Sequence, residues 1–287
     1  MIVEVTDRMS DAQPLTVEDL ECFLNVFRRI IDDKFYKFYA LRLYRNKPSD
    51  KIPAAHQIEA LERLDEWFRE QRDMHSGSIL VLPAGGGKTF ATVRFLCTSP
   101  LSKGYKVLWL AHTHHLLEQA FHAFESEVKH ISLPQTRLDV WGVSGTPGHY
   151  SVDEIKKTDN VLIATLQTLT RAYKRKQPKL EAFFKSANDK LFVVFDEAHH
   201  SPSPTYRQLI IAWQERFPKM YLLGLTATPT YSNQSKHGWL EKLLPQRILY
   251  QVTAQQLMAD GILYKPESEQ HETNFDAPDF EAEEYIK

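Results

Sequence analysis

The sequence predicts an α/β protein, a parallel β-sheet flanked by helices, preceded by a small helical N-terminal region. Two observations carry this expectation. Short apolar runs at 79–82, 105–110, 140–143, 160–164, 191–195 and 221–225 alternate with stretches long enough to cross over as helices, the pattern of parallel strands. The runs are apolar nearly throughout rather than at every second position, as strands covered on both faces require. In such sheets ligands bind beyond the carboxyl ends of the strands, so the ends of these six runs are where a site is expected.

Taken in chain order, residues 16–46 are expected to be helical. Thr16 can cap the first turn, and Leu20, Leu24, Phe27, Ile31, Phe35 and Phe38 recur at helix spacing. Pro48 and Pro53 break that pattern. A second helix is expected around His56–Gln71, with Ile58, Leu61, Leu64 and Trp67 on one face. Crossover helices are expected at 89–96, 116–127, 167–173 and 205–216. Beyond them come a strand-like 247–252 and a capped helix from Thr253 to Asp260, ended by Gly261. This divides the chain into a helical region (1–52), a large α/β unit (53–266) and an acidic tail (267–287).

The first apolar run ends in Pro83, Ala84, Gly85, Gly86, Gly87, Lys88 and Thr89. A glycine-rich turn between strand and helix lets backbone N–H groups converge on a phosphate without interference from Cβ atoms. Lys88 then reaches the β and γ phosphates of a nucleotide such as ATP, and the Thr89 hydroxyl ligates Mg2+. The general form of this motif opens with a glycine where Leu82 stands. A surface turn that merely precedes Lys-Thr is the plain alternative, and the flanking strand and helix argue against it. About a hundred residues later the run 191–195 ends in Asp196, Glu197, Ala198, His199 and His200. A carboxylate at such a strand end is where Mg2+ needs an outer partner, the role assigned to Asp196, while Glu197 can act as general base on the attacking water. Two acids capping a strand at the surface are the bland reading of the same pair.

These segments, followed by Leu225-Thr226-Ala227-Thr228-Pro229 after the next run, resemble the motifs of superfamily-two DExH-type helicases and translocases. The likeness is greatest to the bacterial group related to the motors of type I and type III restriction enzymes. Leu108 to His115 is similar to a backbone-contacting motif of that superfamily, and Ile163 to Leu169 is similar to the next. Gln57 stands where these families carry a glutamine that reads the adenine edge; solvation at the start of a helix is its plain alternative. The relaxed first position of the phosphate loop fits the helicase variant. The resemblance runs from about residue 53 to 265. It implies the first RecA-like ATP-binding lobe of an ATP hydrolase, with ATP and Mg2+ as cofactors. It also implies that His199, Thr226 and Thr228 couple the nucleotide to the polymer, and that His112, Thr113, His114, Thr165, Thr168 and Arg171 contact DNA, or RNA, through the backbone. A second lobe, whose arginines complete such a site, is too large for the residues after Pro229. The chain is therefore expected to be an excised piece of a longer motor, with one half of a split or degenerate motor as the other reading; for function, a nucleotide-gated binding module without turnover is the alternative.

Charge and cysteine usage bound the rest. The 287 residues carry 43% hydrophobic and 25% charged residues and a net charge of −2, ordinary for a soluble globular chain. Eight acids against Lys287 put the tail at −7, which leaves residues 1–266 at +5, compatible with a phosphate-backbone partner. Seven basic residues between Arg171 and Lys190 form either a phosphate-holding run or a solvated helix face. Arg28, Arg29, Lys34, Lys37, Arg42 and Arg45 mark the N-terminal region as a possible docking surface for DNA or a protein partner. Cys22 and Cys97 are far apart and lack metal spacing, which suggests a reducing, cytoplasmic setting. No basic-apolar leader opens the chain, and no apolar stretch approaches the ~20 residues of a membrane span. His112, His114 and His115 lack a cysteine to complete a tetrahedral metal set.

Overall fold

The computed structural model describes residues 40–44, 51–70, 76–131, 137–146, 148–200, 204–228, 243–244 and 248–265. The expected helix over 16–39, the proline break at 48, Pro229 and the acidic tail lie outside these.

Eight strands form one sheet. They are β1 (Ala40–Tyr44), β2 (Ser76–Val81), β3 (Lys106–Ala111), β4 (Arg137–Val143), β5 (Val161–Thr165), β6 (Leu191–Phe195), β7 (Tyr221–Thr226) and β8 (Ile248–Gln251), in the order β1-β4-β5-β3-β6-β7-β2-β8. The last seven are parallel to one another, and β1 pairs antiparallel to β4 with Leu41 opposite Val140 and Leu43 opposite Leu138.

Strand β1 corrects the helical expectation over Ala40–Tyr44. The short stretch Leu41-Arg42-Leu43 alternates with period two, and it covers the edge of β4 that would otherwise present unpaired N–H and C=O groups. Strands β3, β5, β6 and β7 follow the apolar runs because they are buried on both faces, while β4 alternates buried and half-buried positions and β8 at the edge is half-exposed. Along β3, Val107, Trp109 and Ala111 enter one core cluster, while Leu108 and Leu110 enter the other. Successive side chains of a strand point to opposite faces, so two cores make a continuous apolar run.

Helices α1 (Ala55–Glu70), α2 (Lys88–Thr98) and α3 (His114–Glu127) cover one face. The other is covered by α4 (Leu166–Lys174), α5 (Pro178–Ala187) and α6 (Pro204–Arg216). A short α7 (Ala254–Ala259) follows β8, with Thr253 as its cap in a capping box with Gln256. Two local expectations fail. The buried face of α1 is His56, Ala60, Leu64, Trp67 and Phe68, and Ile58 is 47% exposed. Helix α5 was hidden inside the basic run; Pro at its first turn and buried Leu180, Phe183 and Phe184 at helix spacing account for it.

Between α2 and α3 lies a buried ion pair, Arg94 Nε donating to Glu127 Oε2. Ser126 Oγ donates to the other Glu127 oxygen at 3.1 Å, and a second Arg94 nitrogen donates to the Lys51 carbonyl at 3.0 Å. The pair thus ties both helices to the segment leading into α1.

The strand order sorts the loops. Those after β2, β7 and β6 are neighbours at one half of the carboxyl edge, and those after β3, β5 and β4 are neighbours at the other half.

Candidate functional site

The first half is built around the turn after β2. Leu82 N donates to Thr226 O at 3.2 Å, which locks the ends of β2 and β7 together. Gly86 N then donates back to Pro83 O at 2.9 Å, and Gly85 and Gly87 take left-handed φ values of +78° and +84°. A Cβ on Gly87 would lie 2.2 Å from Gln57 Nε2, and one on Gly86 3.1 Å from Pro83 O. Glycine is therefore demanded by both conformation and space. On the outer side, Leu263 and Leu257 of the segment around α7 approach Gly85 and Gly86 to 3.0 and 3.3 Å of where their Cβ atoms would be. Ala84 is exposed on the same turn. The chain enters α2 at Lys88, and the first N–H groups of that helix have no intrahelical partner. Such an end attracts anions.

A cleft of about 560 Å3 opens over this turn, lined among others by Gly85, Gly87, Lys88, Thr89, Asp196 and Glu197. Strand β6 delivers the two acids. Asp196 is 1% exposed and its backbone N–H donates to Leu110 O at 2.9 Å. One carboxylate oxygen accepts the Glu197 N–H at 3.0 Å, and the Trp109 indole N–H also acts on this buried carboxylate. Burial, then the neighbouring Glu197 charge, push the Asp196 carboxyl up to about 6, against the pull of Lys88. A buried carboxylate and the Thr89 hydroxyl on the wall of one cleft suit a hard divalent cation, so the donor set fits Mg2+.

Glu197 adopts φ +52°, a left-handed conformation that costs a non-glycine residue energy and collects at functional sites. Its carboxylate lies 3.6 Å from Lys88 Nζ and 3.3 Å from His199 Nδ1. The hydrogen bond from His199, with Lys88 adding to it, holds the Glu197 carboxyl below the ordinary range in spite of burial. His199 Nδ1 also lies 3.2 Å from Thr226 Oγ1. Since the Thr226 hydroxyl donates to Thr228 O at 2.9 Å and the carboxylate only accepts, Nδ1 carries the proton and serves both. Thr228 N donates back to Thr226 Oγ1 at 3.1 Å, which fixes the loop after β7.

The other residues singled out in the sequence have different surroundings. Gln57 lies against the phosphate loop, its amide accepting from Ala54 N (3.0 Å) and donating to Gly86 O (3.2 Å). Thr113 is the N-cap of α3, accepting from Leu116 N at 3.3 Å. His112 packs edge-on to Tyr206, and His114 to His149 with ring centroids 5.4 Å apart.

Thr165 is 3% exposed. Its hydroxyl donates to Thr168 Oγ1 at 3.0 Å, and that hydroxyl donates to Ser144 O at 2.8 Å. The pair therefore has a structural reason to be polar: it ties β5 to the loop after β4. Arg171 is exposed on α4, its Nε donating to Gln167 O at 3.3 Å.

Two features escaped the sequence reading. One is His56, buried under the phosphate loop with Nε2 2.8 Å from Gly86 O; its place just before Gln57 was the available signal. The other is the loop after β4, where Ser144 Oγ lies 2.5 Å from both Thr146 Oγ1 and His149 Nδ1. The run Ser144-Gly145-Thr146-Pro147-Gly148-His149 at a strand end could have marked it.

The family model described as the res subunit of type III restriction enzymes matches residues 50–231, the stretch from before α1 to just past β7. The chain belongs to that family. The fold of this type III res-subunit family member is RecA-like, as in helicase domains of solved structure. The helicase domain of Hef from Pyrococcus furiosus superposes with a TM-score of 0.50 and 24% identity over 68% of this chain and 37% of that one. Weaker likenesses include the ATP-dependent Type ISP restriction-modification enzyme LlaBIII bound to DNA (TM-score 0.47, 17% identity, 74% of this chain and 16% of that one). The UvsW helicase from bacteriophage T4 gives 0.46 and 18%, over 82% of this chain and 77% of that one. The chain thus spans little more than a third of the Hef helicase domain. No curated protein matches it. Among the described residues no helix is long and apolar enough to cross a membrane.

Proposed function

We propose that this lobe binds ATP with Mg2+ and forms the first half of an ATP-driven helicase or translocase acting on DNA. The observation that carries the reading is the convergence of Lys88, Asp196 and Glu197 on one cleft, with Glu197 linked through His199 to Thr226. In it, Lys88 and the α2 N-terminus hold the β and γ phosphates. Thr89 and Asp196 would hold Mg2+, which when bound neutralises phosphate charge. Glu197 orients the attacking water and takes its proton, and its depressed pKa keeps it ionised for that task. His199 carries the state of this carboxylate to the Thr226–Thr228 loop, giving the chemistry a mechanical outlet.

The polymer is assigned to the other half of the carboxyl edge, to His112–His114, Thr168 and Arg171, with Thr165 in support of Thr168. Kinship to a restriction-enzyme subunit supports DNA over RNA. The composition, with its two separated cysteines, supports a cytoplasmic setting. The lobe is assigned to 53–266, with β1 contributed by the region upstream, which stands as a candidate dock for a protein partner. The tail 267–287 leads toward a second lobe.

The test is ATP turnover with Mg2+, measured with single- and double-stranded DNA and RNA, on this chain and on a longer one that includes a second lobe. This chain alone should bind nucleotide and turn over well below ~1 s−1, the low end of ordinary enzyme rates. The longer chain should be stimulated by DNA. Absence of Mg2+-nucleotide binding by this chain would sink the proposal.

A further inference from the structure

We infer that His56 is a positioning residue that holds the phosphate loop in its binding shape before any nucleotide arrives; this rests on the nucleotide reading above.

His56 is 5% exposed and is the second residue of α1. Its Nε2 lies 2.8 Å from Gly86 O, and a carbonyl only accepts, so Nε2 carries the ring proton. The other ring nitrogen is buried without a hydrogen-bond partner. An apolar ring or chain could fill this slot without the cost of burying an imidazole nitrogen. The slot instead holds a donor aimed at one loop carbonyl.

That carbonyl also receives Gln57 Nε2 at 3.2 Å, and the Gly86 N–H is bound to Pro83 O at 2.9 Å. The peptide between Gly86 and Gly87 is a rigid plane with its C=O and N–H pointing in opposite directions. Fixing the oxygen toward α1 therefore turns the Gly87 N–H away from α1. Gly87, at φ +84° and on the cleft wall, is the last residue before Lys88. A flexible glycine run would otherwise have to be ordered by the ligand, at a cost to affinity.

The experiment compares two near-isosteric variants, His56→Gln, which retains an N–H donor, and His56→Met, which does not. Mg2+-ADP affinity and Tm are measured on each and on the wild type, with His56→Phe standing in if His56→Met does not fold. Loss of one hydrogen bond of ordinary worth predicts roughly 5–15-fold weaker ADP binding for His56→Met. His56→Gln should recover most of that loss, with the Tm values of the two variants within a few degrees. Wild-type affinity in His56→Met, or equal losses in both variants, would overturn the inference and return His56 to plain packing. A wild type that binds no Mg2+-ADP would instead bring down the nucleotide reading, and this inference with it.

Discussion

Lys88 Nζ stands 3.6 Å from Glu197 Oε1, so the cation of the phosphate loop and the carboxylate assigned to water already share one electrostatic unit. Their roles nevertheless separate on substitution. Lys88→Ala removes the positive charge that faces the phosphates and leaves Asp196 and Glu197 uncompensated. It should weaken Mg2+-nucleotide binding by ~10-fold or more, the worth of a charge-assisted hydrogen bond. Glu197→Gln should bind nucleotide as the wild type does, yet block hydrolysis in a chain with both lobes. Binding isotherms and single-turnover rates check the pair. Wild-type turnover by Glu197→Gln would refute the general-base assignment.

The Arg94–Glu127 pair makes a stability prediction independent of the site. Both side chains are buried, so Arg94→Met or Glu127→Leu alone strands a charge and should cost about 3–5 kcal/mol. The double variant should recover much of this loss, because two apolar side chains need no partner. Denaturant melts of the three variants decide it, and strictly additive losses would contradict the account.

His149 predicts an acid-sensitive region at the end of β4. Burial first, then the nearby His114, hold its pKa below the ordinary histidine value, with Glu118 opposing. As pH falls below the ~6.5 of an unfolded histidine, the unfolded chain takes the proton before the folded one does. The stability contribution is complete above that pH and declines as pH drops toward the folded value. His149→Gln should therefore flatten the fall in Tm between pH 7 and 5.5, whatever its effect at pH 7. An unchanged slope would rule His149 out as the source.

Nucleic-acid binding should follow salt rather than sequence. Arg171, Lys174 and Arg175 are exposed on α4 and just after it. Changing all three to Ala should lower affinity uniformly across sequences and flatten the salt slope by up to about three units, roughly one per phosphate contact. A slope equal to that of the wild type would make the run a solvated helix face.

Much of the sheet could be read from the chain because strands buried on both faces are written as apolar runs, and their ends must carry whatever the protein binds. The glycine turn before Lys88 and the acids after Phe195 were legible for that reason. What escaped depended on partners distant in sequence. The stretch Ala40–Tyr44 is short enough to suit helix or strand, and only the open edge of β4 decides for strand. The tie from Thr165 through Thr168 to the Ser144 carbonyl could not be read, because that acceptor belongs to a backbone that side-chain identity does not reveal. Helix α5 was masked by charges whose spacing said nothing of Leu180 and Phe184. His56 offered only its place before Gln57, and a single histidine at a helix start has many ordinary explanations.

The phosphate loop is walled on one side by α1, which precedes it, and on the other by Leu257 and Leu263, which follow β8. Leu263 is translated about 180 residues after Gly85. At ~5–20 residues per second, that is roughly 10–40 s of synthesis. Through that interval the nascent chain owns the glycines and the lysine but only half of their enclosure. The signature most legible in the sequence is therefore among the last parts of this lobe to be enclosed during synthesis.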